Sequence, residues 1–234
     1  MNLNDITALV MVKNESFFIG HVLSPLVRRL AGVIFFDTGS QDGTPEIAES
    51  LGIQVYRKGD SSPEALGKYR TEMCNLCPTP WNLIVDGDEL YEDEMFDDIA
   101  EYEVPPGKIV GFTSMCSVDF VDGQYVLLQD MFSRLALHPK GTIYQGEYPF
   151  ESPGSFADPS NFFYVPTRKH AYHLHRLVRS PLDEKVFMRK DKQFTFSLQN
   201  VTVPIAGPVT LPFDARFHDP FAQSRRVLEN YYSD

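Results

Sequence analysis

Asp86 and Asp88 stand two positions apart at the end of the apolar run Trp81 to Val85, with Gly87 between them. On a buried strand, two carboxylates so placed emerge at the sheet's carboxyl edge. Hard oxygen donors of this kind suit Mg2+ or Mn2+, which bind carboxylates together with substrate phosphates. Gly87 lets the backbone turn sharply and leaves room for a ligand. The same residues also read as a solvated acidic turn capping the helix that follows. Glu92, Asp93, Glu94, Asp97 and Asp98 then form that helix's exposed face. A second acidic turn, Asp37 to Gly43, closes another apolar run, Gly32 to Phe36. Late in the chain His170, His173 and His175 cluster within eight residues or fewer of Arg176. If that segment is extended, His173 and His175 share a face and can look into one site.

The elements that must position these groups follow from apolar patterning. Ile6 to Lys13 is short, apolar and rich in β-formers, as a strand buried on both faces requires. Asn14-Glu15-Ser16 breaks the run and starts a helix on which Ile19, Val22, Leu23, Leu26 and Leu30 recur at helical spacing, with Pro25 expected to kink or split it. Gly32 to Phe36 is a second strand. Thr44 as N-cap and Pro45 at the first helical position begin a short helix ending near Leu51, with Gly52 beyond its end. Gln54 to Tyr56, Pro63 to Asn75 and Trp81 to Val85 read as strand, helix and strand. Strands joined through helices make a parallel sheet by right-handed crossovers, with ligands at the carboxyl ends of the strands. Both acidic turns fall there. Beyond this point Lys108 to Phe120 and Gln124 to Gln129 flank Asp122-Gly123, a hairpin signal. Residues 141–166 read as long ordered loops, Arg179 to Phe196 as a surface helix, and the proline-bearing stretch after Thr202 as a tail wrapping the surface.

Composition bounds the rest. The chain has 234 residues, 43% hydrophobic and 23% charged, enough for one α/β domain with a sizeable core. A net charge of −11 excludes a general phosphate-backbone binder, though a local cation can still serve an anionic substrate. Three cysteines make no disulfide framework; Cys74 and Cys77, spaced C-x-x-C, read as reduced thiols in an apolar pattern. With no signal peptide and no apolar run near ~20 residues, a soluble cytoplasmic protein without a transmembrane segment is expected.

Three segments together carry a resemblance. Lys13-Asn14-Glu15, then Phe36-Asp37-Thr38-Gly39-Ser40-Gln41-Asp42-Gly43-Thr44, then Trp81 to Glu89 resemble, in order, the motifs of family-two glycosyltransferases of the GT-A fold. The likeness covers residues 6–90. It implies an α/β, Rossmann-like GT-A fold: a mostly parallel central sheet flanked by helices, with a smaller antiparallel hairpin and loop region in the C-terminal half. It also implies a single catalytic domain: residues 1–105 bind the nucleotide-sugar, 106–200 the acceptor, and 201–234 form a tail. The implied reaction moves a sugar from a nucleoside-diphosphate donor to an acceptor hydroxyl, with inversion and with Mn2+ or Mg2+. The acceptor is left open among a saccharide, a lipid-linked glycan, a protein and a modified base.

The resemblance further implies roles. Asp37 accepts hydrogen bonds from base or ribose, and Lys13, Asn14 and Glu15 line the same pocket, whereas Ser40 and Asp42 hold the turn or bind. Asp86 faces ribose or metal, Gly87 the donor, and Asp88 ligates the cation, with His173 or His175 as a further metal ligand. Arg70 sits where the family has an Arg-Asn pair, but Thr71 replaces the Asn; Arg176 and Arg179 can help bind the diphosphate. An inverting transfer needs a carboxylate base. Relatives carry G-x-x-H-E after an Arg-Leu segment; here Arg134-Leu135 is followed by Gly146 to Glu151 without the His, leaving Glu151 first and Glu147 second. Other classes fit less well. Asp-Thr-Gly-Ser also looks like an aspartic protease turn, but no second such turn occurs. A haloacid dehalogenase phosphatase would not follow Asp88 with Glu89-Leu90. A sugar-nucleotide nucleotidyltransferase would carry a glycine-rich basic N-terminal loop. A nucleotide-sugar-binding module without turnover remains compatible with the altered Gly146 to Glu151 stretch.

Overall fold

The computed structural model describes residues 1–112, 115–121, 124–129, 134–146, 152–153, 158–168, 171–182, 204–206 and 211–232. Its core is a seven-stranded sheet. β1 (Ile6–Val12) is central and buried at all seven positions, and it pairs in parallel with β2 (Gly32–Asp37) and β4 (Trp81–Asp86). β3 (Val55–Arg57) extends the sheet in parallel beside β2. β5 (Glu89–Tyr91) leaves for a second sheet, whereas β6 (Ile109–Phe112), β9 (Arg134–Pro139) and β12 (Phe162–Val165) complete the first. The order is β12-β6-β9-β4-β1-β2-β3, with β9 antiparallel to both of its neighbours. The expected α/β class, with a mostly parallel sheet flanked by helices, is what the structure has.

Helices cover both faces. α1 (Ile19–Arg29), α2 (Thr44–Ser50) and α4 (Asp93–Glu101) pack on the face that bears Ala8, Val10, Leu83 and Val85. α3 (Pro63–Leu76) packs Met73 and Cys74 against Leu9, Met11, Phe36 and Ile84 on the other. Side-chain alternation along each strand sets this division. The second sheet, β14-β8-β7-β13-β5, contains β7 (Met115–Val121), β8 (Gln124–Gln129), β13 (Ala171–His173) and β14 (Pro204–Ala206). A two-stranded pair, β10 (Tyr144–Gln145) and β11 (Ser152–Pro153), stands apart. The C-terminal helix α5 (Pro220–Tyr232) and the stretch before it lie against α1 and the second sheet. His21 of α1 bridges to that stretch through both ring nitrogens, accepting the Asp214 amide at 3.0 Å on Nδ1 and meeting the His218 carbonyl at 3.3 Å on Nε2.

Several expectations are corrected. α1 runs through Pro25 as one helix, because the fully buried Val22, Leu23 and Leu26 hold it on the sheet despite the lost amide donor. Gly43, at φ 88°, is the N-cap of α2, and Thr44 is its first residue. The stretch Lys108 to Phe120 is two strands that serve different sheets, β6 and β7. Within residues 141–166, Phe162–Val165 is a strand, paired in parallel with β6. Residues 179–182 are not helical; the remainder of that expected helix, 183–196, lies outside the described residues. Asp98 is buried rather than exposed, and its carboxylate accepts the Arg168 amide at 2.7 Å. The three cysteines are free and buried, and burial pushes the Cys74 thiol up to about 12. Among the described residues, no helix is long and apolar enough to cross a membrane.

Candidate functional site

The site forms where the strand order reverses. From β1 the chain proceeds outward through β2 and β3, then returns to place β4 on β1's other side, which opens a crevice at the carboxyl ends. Val12 is in register with Asp37, and Met11 with Asp86, so the two acidic turns flank the end of β1. Two strand spacings put their Cα atoms about 10 Å apart.

The loop after β1 and the turn after β2 are locked together. Three consecutive amides of the loop donate into that turn: Asn14 to Ser40 Oγ at 2.8 Å, Glu15 to Thr44 Oγ1 at 2.9 Å, and Ser16 to Asp42 Oδ2 at 3.0 Å. In return the Gln41 amide donates to Asn14 Oδ1 at 2.9 Å. Asn14 reaches φ 56°, the one positive value at a non-glycine among the described residues; an asparagine tolerates that region best. Thr44 Oγ1 donates to Asp42 Oδ1 at 2.6 Å; burial alone would raise the Asp42 carboxyl, but hydrogen bonds from Ser180, Thr44 and Ser16 hold it below the usual range. Ser40, Asp42 and Thr44 therefore hold the turn. Asp37, 3% exposed, receives the Gly39 and Ser40 amides at 3.2–3.3 Å. Lys13 is exposed and reaches across to Ser61 Oγ at 3.2 Å.

The two carboxylates of Asp86-Gly87-Asp88 point to different partners. Asp86 is in contact with α3, where Arg70 Nη2 donates to Oδ1 at 2.7 Å. Its own amide donates to the buried Glu89 carboxylate at 3.1 Å. Thr71, the residue standing where the resemblance expects an Asn, accepts the Tyr144 amide at 3.1 Å and so ties β10 to α3. Asp88 is 4% exposed and takes Arg179 Nη1 on Oδ2 at 2.6 Å. The same Arg179 nitrogen lies 2.7 Å from Glu15 Oε1. Burial would push the Asp88 carboxyl up, but the Arg179 guanidinium and the His173 ring hold it below the ordinary range.

Gly87 is needed for close approach. A Cβ there would lie 2.6 Å from Val12 Cγ1 and 2.7 Å from Glu15 Cγ. In the Cβ direction the space is filled by Val12 and Glu15, so protein packing alone requires a glycine here.

Strand pairing delivers the histidines. β13 runs antiparallel to β5, with His173 opposite Glu89, and the Leu174 amide donates to the Asp88 carbonyl at 2.7 Å. His173 Nε2 then faces Asp88 Oδ1 at 3.6 Å. The strand ends at His173, so His175 does not share its face by alternation. A turn brings the two rings to 4.0 Å between centroids instead. Burial, with His173 beside it, pushes His175 down to about 3. Glu147 and Glu151, the expected bases, and His170 lie outside the described residues. Arg179 is the side chain of this candidate site whose position the sequence did not reveal. It was legible only as a cation near the histidines, not as the partner of Glu15 and Asp88.

A divalent cation can be tested against this geometry. The facing pair Asp88 Oδ1 and His173 Nε2 offers one oxygen and one nitrogen beyond hydrogen-bond reach of each other, and His173 is 29% exposed. The buried His175 Nδ1 has no hydrogen-bond partner among the described residues. Mg2+ and Mn2+ need only one or two protein ligands when phosphates complete the shell. The donor set fits such an ion, with Arg179 on the second Asp88 oxygen. Among the described residues no group of three acidic, histidine or cysteine side chains is arranged to hold a metal unaided.

No protein-family model and no curated protein sequence matches the chain. Among solved structures, glucosyl-3-phosphoglycerate synthase from Mycobacterium tuberculosis, in complex with Mg2+ and uridine-diphosphate, aligns at 16% identity and a TM-score of 0.38, over 47% of this chain and 43% of that one. The same synthase with Mn2+, uridine-diphosphate-glucose and phosphoglyceric acid aligns with the same values. TarS 1–349 of S. aureus aligns at 13% identity and a TM-score of 0.48, over 97% of this chain and 70% of that one. The match to the synthase thus spans less than half of that protein's length. Likeness this loose does not extend to activity, which must be argued from the residues.

Proposed function

We propose that the chain is a glycosyltransferase of the GT-A fold that moves a hexose-like sugar from a nucleoside-diphosphate donor to an acceptor hydroxyl, with inversion and with a divalent cation. One observation carries the reading. The three motif segments, far apart in sequence, meet at the carboxyl ends of β1, β2 and β4, and β13 adds His173 to Asp88 there. A solvated acidic turn needs neither the interlocked loop nor a buried Asp88.

In this reading residues 1–105 bind the donor and 106–200 the acceptor. Asp37 orients the base or ribose beside Lys13 and Asn14. Arg70, which donates to Asp86 at 2.7 Å, would contact the donor's diphosphate or sugar. Asp88 and His173, with Asp86 or His175 nearby, would hold Mn2+ or Mg2+. When bound, the ion supplies Lewis-acid stabilisation of charge on the leaving diphosphate. Glu15 supports this corner through Arg179 rather than by lining the nucleotide pocket. Glu151, or else Glu147, takes the proton of the acceptor hydroxyl. The hairpin strand β10 that precedes both is tethered to Thr71, next to Arg70, which favours a base drawn from this stretch.

The test is release of nucleoside diphosphate from a panel of nucleotide sugars with Mn2+. Turnover of one donor, lost in Asp88→Asn, supports the proposal. Tight donor binding with no release under any condition would favour the binding module without turnover.

A further inference from the structure

We infer that Arg179 is a built-in stand-in for the cation: it occupies Asp88 in the metal-free protein and withdraws onto Glu15 when a divalent ion binds. The inference rests on the proposed metal site and adds a residue that regulates its loading. One Arg179 nitrogen lies between two buried carboxylates, 2.6 Å from Asp88 Oδ2 and 2.7 Å from Glu15 Oε1. All three residues are at most 9% exposed. Two carboxylates so close in a buried site need a cation between them. Without metal Arg179 supplies it.

Glu15 gives the guanidinium somewhere to go. A salt bridge with a single partner would have to break outright when Asp88 turned to a metal, stranding a buried charge at large cost. Here the same nitrogen already contacts Glu15, so Asp88 can change partner while Arg179 keeps one. The scaffold makes the second partner a fixed one. The Glu15 amide is bound by Thr44, and its side chain is packed against Gly87. The Arg179 carbonyl accepts the Phe17 amide at 3.0 Å, which fastens the arginine's backbone to the same loop. Asp88 Oδ1, on the side away from Arg179, already faces His173. The exchange therefore requires a small rotation of a guanidinium and no rearrangement of strands. It also makes metal affinity a competition between an ion and a tethered cation.

The test measures Mn2+ by equilibrium titration on the full chain in a fixed excess of uridine diphosphate, whose phosphates complete the ion's shell, with protein-free uridine diphosphate as the blank. Arg179→Gln should bind Mn2+ roughly 10- to 100-fold more tightly than wild type, the worth of one charge-assisted hydrogen bond removed from competition. Arg179→Lys, which keeps the charge, should return toward wild type. A residue that merely held the site's shape would give weaker binding in both. Without metal Arg179→Gln should melt roughly 10 °C lower, as two buried carboxylates lose their cation, and saturating Mn2+ should recover most of that loss. Should Arg179→Gln fail to fold even with Mn2+, Glu15→Gln decides: Arg179 then loses the carboxylate it withdraws to, and Mn2+ should bind about tenfold more weakly. Equal or weaker binding by folded Arg179→Gln, or unchanged binding by Glu15→Gln, overturns the inference while Asp88-dependent binding leaves the metal site standing. If neither wild type nor Arg179→Gln binds Mn2+, or Asp88→Asn binds as wild type does, the metal site itself is refuted and the inference with it.

Discussion

Gly87→Ala asks whether the turn between the two aspartates is packed as the structure has it. The added Cβ would stand 2.6 Å from Val12 Cγ1 and 2.7 Å from Glu15 Cγ, about 1 Å inside ordinary carbon contact. Neither obstacle can yield easily. Val12 is 4% exposed and its branched side chain is stiff at χ1, while Glu15 is anchored by Arg179 at 2.7 Å. The cost should therefore lie at the upper end of overpacking penalties, about 3 kcal/mol. For a chain of this size that corresponds to a fall of roughly 6–12 °C in melting temperature. Thermal denaturation of the purified variant measures it directly. Val12→Ala in the same chain removes one of the two clashes, so the double variant should be more stable than the sum of the single losses by at least ~0.5 kcal/mol. A Gly87→Ala protein melting within ~2 °C of wild type would refute the packing and, with it, the fixed position of Glu15.

Other expectations concern the neighbouring parts of the molecule. Burial holds the His21 ring below its ordinary value in spite of the His218 carbonyl and the nearby Asp214 and Asp219 carboxylates. The unfolded chain therefore takes up the proton first, and this contribution to stability is lost as pH falls from about 6.5 toward the depressed folded value. His21→Asn should flatten the decline in melting temperature between pH 7.5 and 5 relative to wild type; His175 is present in both proteins, and identical slopes would remove His21 as a cause. Arg70→Met leaves Asp86 without the guanidinium, but that carboxylate's side chain is 32% exposed and water takes over part of the role. A loss of about 1–2 kcal/mol in denaturant unfolding is expected, below the ~3–5 of a fully buried pair, and a loss near zero would contradict the geometry. Glu151→Gln, or failing that Glu147→Gln, should abolish sugar transfer in a kinetic assay while donor binding persists; full activity in both variants would exclude this stretch as the source of the base.

The central strands were legible because burial on both faces writes a continuous apolar run, as in Ile6–Val12, and the acidic turns follow such runs directly. The interlock of Asn14 to Ser16 with Ser40, Asp42 and Thr44 was only partly legible. The sequence marks those residues as turn-formers but does not say that side chains of one turn cap the amides of another. Asp98 was misread because its partner, Arg168, comes from a distant segment and reverses the solvated reading of an acidic helix face. β6 and β7 were read as one strand because alternation along a strand carries no mark of which sheet receives it. The meeting of His173 with Asp88 depends on the pairing of β13 with β5, a long-range register that local pattern does not encode. Arg179 between Glu15 and Asp88 depends on the same pairing and was hidden for the same reason.

The most direct test of the account is thermal denaturation of wild type and Asp88→Asn against a panel of nucleoside-diphosphate sugars, each with and without Mn2+. A ligand at about 100 times its dissociation constant stabilises by ~2.7 kcal/mol, a rise of several degrees for a chain of this length. The account predicts such a rise for at least one nucleotide sugar in the wild type, dependent on Mn2+ and absent in Asp88→Asn. A panel in which no nucleotide moves the melting temperature, with Asp88→Asn indistinguishable from wild type, would contradict it.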